Sequence, residues 1–218
     1  MTKLAFISIH PEFIQSYLNI GIFNRASTAK LASFETIGLR DYAIDNHGTI
    51  DSRPYGGGDG MVLRPEPLAR ALDAYSDGRK VHTIYTSPAG KQFEHHDAVR
   101  LSEMPKDIVF ICGRFAGVDQ RFIDRRVDEQ FSLGSFVVSG GELPCLLIAD
   151  ALLRQVRGVL GNDLSAENDS FAAGLNGMVE FPLYSRPEEF EGVRVPEELL
   201  SGNHERIQEW RNQHLTKK

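Results

Sequence analysis

Short apolar runs alternate with amphipathic stretches through the first 160 residues of this 218-residue chain. Runs rich in β-branched and aromatic residues are typical of buried strands, and they occur at residues 4–9, 31–39, 81–86, 107–112, 128–133 and 136–139. Apolar residues at helical spacing predict helices at residues 12–29, with a break near 19–21, and at 65–74, 95–103, 118–126 and 143–156. Because strands and helices alternate, the pattern predicts an α/β fold with a mainly parallel sheet.

The last third of the chain has a different pattern. Residues 162–176 are small and polar, and from residue 177 onward three prolines and a dense acidic run precede a final helix at residues 203–213. We therefore predict a first domain at residues 1–160, a flexible linker at 161–176 and a short, partly helical C-terminal element at 177–218.

Composition excludes several classes of protein. Hydrophobic residues make up 41% of the chain and charged residues 25%, as in globular proteins. No apolar run approaches the ~18–20 residues needed to span a bilayer, and the N-terminus lacks the features of a signal peptide. We expect a cytoplasmic protein with no membrane partner. We predict that the two cysteines, Cys112 and Cys145, are core residues, because each lies in an apolar stretch. The seven histidines lack the spacing of metal ligands, so we predict no metal site.

The charge balance opposes simple nucleic-acid binding. The chain has 24 Lys and Arg against 30 Asp and Glu, a net charge of −6, and no basic tract. A protein that binds nucleic acid mainly through phosphates is expected to be basic. RNA binding by this chain would therefore require a local patch.

Four loops rich in Gly, Ser and Pro follow predicted strands, at residues 87–90, 113–117, 132–135 and 139–144. In an open α/β sheet, ligands bind beyond the carboxyl ends of the strands. Together such loops can hold an adenosine, although each one alone is also typical of an ordinary turn. The chain has neither a G-x-G-x-x-G after its first strand nor a P-loop, which disfavours a nicotinamide site and an NTPase.

Two further groups of residues are candidates for chemistry. Arg53, Tyr55 and Gly58 lie in a glycine-rich segment, where a cation and an aromatic ring suit a phosphate and an unstacked RNA base; a flexible surface loop fits equally well. Arg154 lies near the end of the last apolar helix, and Asp169 lies in the predicted linker. A carboxylate beside a positive charge can act as a general base, but a linker Asp is also typical of a solvated residue or an N-cap.

Six motifs stand in the order found in the TrmD family of bacterial tRNA (guanine-N1)-methyltransferases. They are DSRPYGGGDGM at 51–61, CGRFAGVD at 112–119, SGGELP at 139–144, GVLG at 158–161, DSF at 169–171 and LSGNH at 200–204. The chain resembles this family from about residue 3 to residue 212. Members methylate the guanine on the 3′ side of the anticodon and belong to the SPOUT superfamily.

The resemblance implies a SPOUT-type mainly parallel sheet with a deep trefoil knot, and a homodimer with the active site at the subunit interface. S-adenosylmethionine (S-adenosyl-L-methionine) would bind in the knot loops, and tRNA would be the substrate. The implied cofactor-binding residues are Ser87, Pro88, Gly90, Gly113, Ser132, Leu133, Gly134, Ser135, Phe136, Val137, Val138, Gly140, Gly141 and Pro144. Asp169 would take the proton from guanine N1 while Arg154 stabilises the charge that develops on the base. The family also implies Mg²⁺ dependence.

Several positions depart from the family pattern. Ala116 replaces an acidic residue, Gln120 replaces a Glu, and Asp59 replaces the proline of the glycine-rich loop. The family continues with a basic helical domain, whereas the sequence after Gly177 is acidic up to Arg206 and ends at Lys218. We expect methyl transfer to guanine N1 in tRNA. A divergent paralogue that methylates another RNA or a small heterocyclic molecule, and an inactive cofactor- or RNA-binding scaffold, remain alternatives.

Overall fold

The computed structural model describes residues 1–162 and 164–218; Asp163, in the predicted linker, lies outside the described residues. The chain forms two compact units, Met1–Leu160 and Gly161–Lys218. In the part of the chain that is described, no helix is both long enough and apolar enough to cross a membrane.

The first unit contains one five-stranded sheet in the order β2-β1-β6-β5-β7, in which every neighbouring pair is parallel. In chain order its elements are β1 (Thr2–Ser8), α1 (Pro11–Leu18), α2 (Gly21–Thr28), β2 (Ala32–Gly38), a 3-10 turn (Leu39–Tyr42), β3 (Asp51–Ser52), β4 (Val62–Leu63), α3 (Pro65–Ser76), β5 (His82–Gln92), α4 (His95–Ser102), β6 (Ile108–Ile111), α5 (Gln120–Arg126), β7 (Glu129–Ser132) and α6 (Glu142–Gln155). The prediction of an α/β fold with a mainly parallel sheet is confirmed.

The sheet separates two apolar layers. Successive side chains of a strand point to opposite faces, so Leu4 and Phe6 of β1 join the layer that contains α6, while Ala5 and Ile7 join the layer that contains α3. The rings of Phe6 and Phe110 stack at 5.1 Å between centroids. Since both faces are covered, the central strands read as continuous apolar runs rather than alternating ones.

Prolines and glycines set the helix boundaries that the sequence predicts. Pro11 and Pro65 stand at the first positions of α1 and α3, where the missing N–H costs no helical hydrogen bond. The predicted break within residues 12–29 separates α1 from α2, and Gly21 there adopts φ +57°.

One predicted strand and one predicted strand end were wrong, and both lie beside the pocket described below. The segment 136–139 is a loop rather than a strand, although it is rich in β-forming residues. Strand β5 does not end at Thr86: both Thr86 and Lys91 pair with Phe131 of β7, and residues 87–90 leave the sheet between these pairings. We call residues 87–90 the β5 excursion.

A network of charges fixes the end of the β5 excursion. Lys91 Nζ donates to Asp97 Oδ1 at 2.7 Å, and Arg100 bridges Asp97 and Glu129. Burial raises the pKa of Asp97, but the hydrogen bonds from Lys91, from the main chain and from Arg100 outweigh it and hold this pKa below its ordinary value. The pKa of Glu129 is set in the same way. Burial raises it, but Arg100 and His82 together lower it by more, so it lies below its ordinary value. The network ties the excursion to α4.

The second unit contains short elements. They are α7 (Leu164–Glu167), a 3-10 turn (Ala173–Leu175), β8 (Glu189–Phe190), β9 (Val193–Arg194), α8 (Glu197–Leu200) and α9 (His204–Gln213). The Asn203 side chain caps α9 by accepting from the N–H groups of Glu205 and Arg206. Trp210, 7% exposed, packs edge-on against Phe181. The division into a domain, a linker and a C-terminal element stays a prediction.

Candidate ligand-binding site

A pocket of about 220 Å³ opens in the first unit beside the ends of β5, β6 and β7. Twelve of the fourteen predicted cofactor residues line it: Ser87, Pro88, Gly113, Ser132, Leu133, Gly134, Phe136, Val137, Val138, Gly140, Gly141 and Pro144. Gly90 and Ser135 do not. A Cβ on Gly90 would lie 2.6 Å from main-chain atoms of Gln130 and Phe131, so this glycine lets the excursion approach β7.

The pocket floor is formed where two loops meet backbone to backbone. The Gly141 N–H donates to the Gly113 carbonyl at 2.7 Å, and Arg114 pairs with Gly140 in an antiparallel bridge. A Cβ on Gly141 would lie 2.6 Å from Gly113 N and 2.9 Å from Cys112 Cα. Only glycine permits this approach, which explains the Gly-Gly pair ahead of α6.

One wall of the pocket is apolar and exposed. Phe136 is 60% exposed and Val137 is 85% exposed, and both lie in the loop between β7 and α6. The main-chain N–H groups of residues 135–138 donate to none of the described residues. An apolar surface beside unused backbone donors suits a flat heterocycle with acceptor atoms on its edge.

Arg114 is the one charged side chain among the described residues that line the pocket. Its Nη1 donates to the Ser139 carbonyl at 3.0 Å, and its Nε lies 3.5 Å from Glu142 Oε2. Glu142, 4% exposed, accepts a 2.8 Å hydrogen bond from the buried hydroxyl of Ser8.

The two cysteines lie behind the pocket as core residues, as predicted. Cys112 and Cys145 are 1% and 0% exposed. Burial, and then the neighbouring Cys145 thiol, raises the pKa of Cys112 well above its ordinary value. A thiol that stays protonated is a poor nucleophile, so neither geometry nor ionisation favours covalent catalysis by Cys112.

The predicted substrate residues lie in the loop between β3 and β4. Arg53 is exposed, Tyr55 is 98% exposed, and Gly58 adopts φ +116°. The base of this loop joins the pocket, because the Ala116 N–H donates to the Met61 carbonyl at 2.8 Å. The structure thus brings the end of this loop, next to β4, beside a pocket-lining segment.

The predicted catalytic residues lie in different units. Arg154 is half-buried in the last turn of α6, in the first unit. Asp169 is half-buried in the second unit, in a turn where the Asp169 carbonyl accepts from the Ala172 N–H at 3.1 Å. Their roles stay a prediction.

Reasoning from the sequence missed several residues that line the pocket. Tyr85 and Thr86 end the regular part of β5, and Arg114 and Phe115 follow β6. The rule that ligands bind beyond strand ends points to all four, but glycine content drew attention to their neighbours instead. Burial raises the pKa of Tyr85, more than its main-chain hydrogen bond at Val118 lowers it.

Metal ligands are scarce in the described structure. Among the described residues, no group of three or more His, Cys, Asp or Glu side chains is placed to hold a metal ion. Ala116, at the position where the family has an acidic residue, contributes no oxygen ligand to the pocket. The Mg²⁺ dependence that the resemblance implies stays a prediction.

The fold and the pocket together define an open α/β protein whose ligand site is formed by the loops that follow its parallel strands. A family model described as tRNA (Guanine-1)-methyltransferase TrmD matches residues 2–218. The chain belongs to the TrmD family, a family of S-adenosylmethionine-dependent methyltransferases.

Individual relatives agree with this assignment. The tRNA (guanine-N(1)-)-methyltransferase of Ralstonia nicotianae is 45% identical over 210 residues, which cover 95% of this chain and 79% of the relative. The Staphylococcus aureus (strain JH9) protein of the same name is 42% identical over 211 residues, covering 97% and 84%. The crystal structure of tRNA (m1G37) methyltransferase from Aquifex aeolicus matches with a TM-score of 0.80 at 36% identity, covering 98% of this chain and 88% of that one.

Proposed function

We propose that this protein transfers a methyl group from S-adenosylmethionine to N1 of a guanine in tRNA, on the 3′ side of the anticodon. Membership of the TrmD family supports the reaction. The observation that carries the proposal for this chain is the pocket itself, which gathers twelve of the fourteen residues implied by the family motifs. A tRNA substrate would place the reaction in the cytoplasm.

The residues that line the pocket suit the cofactor chemically. Gly113 and Gly141 let two backbones meet beneath a ligand, and the apolar wall at Phe136 and Val137 suits an adenine ring. The volume of about 220 Å³ is below the ~300 Å³ at which pockets for drug-sized ligands begin. Part of the cofactor would therefore extend to the mouth of the pocket, where the acceptor base can reach it.

The side chains would supply one base and one cation. When bound, the cofactor supplies an electrophilic methyl group on a positively charged sulfur. Asp169 would accept the proton of guanine N1, and Arg154 would stabilise the negative charge that this deprotonation places on the base. Direct transfer needs no covalent nucleophile, in keeping with the buried thiols.

An exposed apolar stripe supports a homodimer with a composite site. Leu143 and Leu147 of α6 are 53% and 59% exposed, and Phe13 of α1 is 43% exposed. Arg154 follows Leu143 by eleven residues, about three helical turns, so it lies along the same stripe. A second copy packed on this stripe would cover the leucines and bring Arg154 into the interface.

We propose that the loop between β3 and β4 contacts the tRNA. Arg53 would meet a phosphate, Tyr55 would stack on an unpaired base, and Gly58 would let the backbone approach the RNA. With a net charge of −6, the protein would form few phosphate contacts. The affinity for tRNA should therefore fall only shallowly with salt.

The decisive experiment supplies labelled S-adenosylmethionine and unmodified tRNA transcripts with G or A on the 3′ side of the anticodon. We expect label in the G transcript alone, and loss of transfer in Asp169→Asn with retained cofactor binding. Glu167→Gln, an exposed neighbour in the same segment, is the matched control and should remain active. A second arm supplies a cell extract stripped of RNA in place of the transcripts. Label in this extract and in neither transcript would refute the tRNA substrate and favour the divergent paralogue, which Ala116 suggests. Binding without transfer would favour a scaffold.

The composite site has its own test. Arg154→Ala and Asp169→Asn protomers are each expected to be inactive, and random pairing in a 1:1 mixture should restore about a quarter of the activity if each site takes one residue from each protomer. Light scattering should give the mass of a dimer. A monomeric mass at micromolar concentration would refute the composite site.

A further inference from the structure

A single positive charge stands in an otherwise neutral pocket. Among the twenty described residues that line it, Arg114 alone carries a full charge near neutral pH. Its side chain is 27% exposed and lines the pocket. A lone cation in a small pocket selects for an anionic group on the ligand.

The guanidinium is held at two positions, by the loop ahead of α6 and by the first residue of α6. Arg114 Nη1 donates to the Ser139 carbonyl at 3.0 Å, which fixes the plane of the group. Nε faces Glu142 Oε2 at 3.5 Å and is buried with no hydrogen-bond partner among the described residues. Glu142 is in turn held by Ser8 at the end of β1. The long side chain is therefore ordered before any ligand arrives.

Glu142 does not cancel the charge that Arg114 presents. Glu142 is the first residue of α6, where the helix N-terminus stabilises a negative charge. It also accepts from the Ser8 hydroxyl at 2.8 Å. Because its charge is met by these groups as well as by Nε, the Nη2 side of the guanidinium keeps donors for a further acceptor. No described residue accepts a hydrogen bond from Nη2.

We propose that Arg114 binds the carboxylate of the amino-acid end of the methyl donor, and so distinguishes the complete cofactor from nucleosides that lack this group. The inference rests on the proposed function, since it assumes that S-adenosylmethionine occupies this pocket. Its adenine, ribose and sulfonium carry no negative charge, and the carboxylate is its one anionic group. A guanidinium recognises a carboxylate with two parallel N–H···O bonds.

The test compares two ligands that differ in the amino-acid end. Isothermal titration gives Kd for S-adenosylhomocysteine, which has the carboxylate, and for 5′-methylthioadenosine, which lacks it. In Arg114→Gln we expect Kd for S-adenosylhomocysteine to rise roughly 10- to 100-fold, the range for loss of a hydrogen bond to a charged group. The Kd for 5′-methylthioadenosine should change by less than about twofold, because it does not form that bond.

Two further variants separate this role from a structural one. Arg126→Gln removes an exposed arginine that pairs with Asp73 outside the pocket, and both ligands should bind it as they bind the wild type. Arg114→Lys keeps the charge without the planar fork, and we expect it to retain part of the preference for S-adenosylhomocysteine.

Each outcome bears on a different claim. Equal loss of affinity for both ligands in Arg114→Gln would overturn the assignment in favour of a role in joining the two loops. Unchanged affinity for S-adenosylhomocysteine with weakened tRNA binding would assign the guanidinium to an RNA phosphate instead. Failure of the wild-type protein to bind either ligand would refute the proposed function itself, irrespective of Arg114.

Discussion

The contact between the two pocket loops leaves no room for a side chain at Gly141, and Gly141→Ala tests this directly. Gly141 has an ordinary φ of −78°, so the substitution introduces no backbone strain of its own. The new methyl would lie 2.6 Å from Gly113 N and 2.9 Å from Cys112 Cα, both of them main-chain atoms. Neither can rotate away, so the loops must separate.

The cost follows from the interactions that this separation breaks. Overpacking of a well-packed site costs about 1–3 kcal/mol. Loss of the 2.7 Å hydrogen bond from Gly141 N to Gly113 O adds about 1 kcal/mol. Replacing glycine also restricts the unfolded chain, which offsets about 0.4–1 kcal/mol. We expect a net loss of about 2–3 kcal/mol in the free energy of unfolding, with a drop of at least about tenfold in affinity for S-adenosylhomocysteine.

Urea unfolding followed by far-ultraviolet circular dichroism measures this loss, provided that the m-value is unchanged. Fluorescence is unsuitable, because the single tryptophan, Trp210, lies in the second unit. Gly38→Ala is the matched control: its φ is −73°, and its new methyl would lie 2.8 Å from the flexible end of the Asp41 side chain and an ordinary 3.6 Å from Pro11. We expect the control to stay within about 0.5 kcal/mol of the wild type. A Gly141→Ala protein as stable as the control would refute the steric reasoning.

Three other features can be tested: the Ser8–Glu142 hydrogen bond, the charge network around Asp97, and the exposed face of α6. Ser8→Ala leaves the buried Glu142 Oε1 without its hydrogen bond and should cost about 1–3 kcal/mol in urea unfolding; an unchanged midpoint would contradict it. Asp97 and Glu129 have pKa values lowered in the folded protein, so their stabilisation is complete above the unfolded values of 3.8 and 4.5 and is lost as pH falls through the folded values; a Tm that stays constant from pH 6 to below pH 4 would count against this linkage. If the proposed homodimer packs on the exposed stripe of α6, Leu147→Glu should give a monomeric mass by light scattering without a lower Tm, since Leu147 is 59% exposed within one chain; a variant that is dimeric would place the interface elsewhere.

The sequence predicts the elements whose register is set locally, and it fails where register depends on a neighbouring strand. Strand β6 and helix α6 follow from their own apolar patterns, because every residue of β6 and half of those of α6 are buried. The β5 excursion does not follow, because the return of Lys91 to Phe131 is fixed by β7 and by the charge network with Asp97. Likewise residues 136–138 have the composition of a strand, but the structure gives them no neighbour to pair with.

The residues of the candidate site also fall into two groups, those that the sequence alone reveals and those that only the structure reveals. Glycines such as Gly113 and Gly141 are recognisable in the sequence, because any other residue at these positions would carry a Cβ that clashes with neighbouring atoms. Arg114 is harder to single out, since an arginine after a strand is usually a surface residue. Its significance comes from the neutrality of the other pocket residues and from the Ser8–Glu142 pair, which lies far away in sequence.

The β5 excursion makes the pocket open to redesign. The residues that flank it, Thr86 and Lys91, pair with the same residue, Phe131, so the excursion interrupts β5 without using a further residue of β7. Loop-closure entropy grows slowly with loop length, and Ser87 and Pro88 contribute to the pocket rather than to the core. Libraries that vary these two positions, with Gly90 and Lys91 kept as anchors, are therefore a route to variants that accept enlarged analogues of the methyl donor.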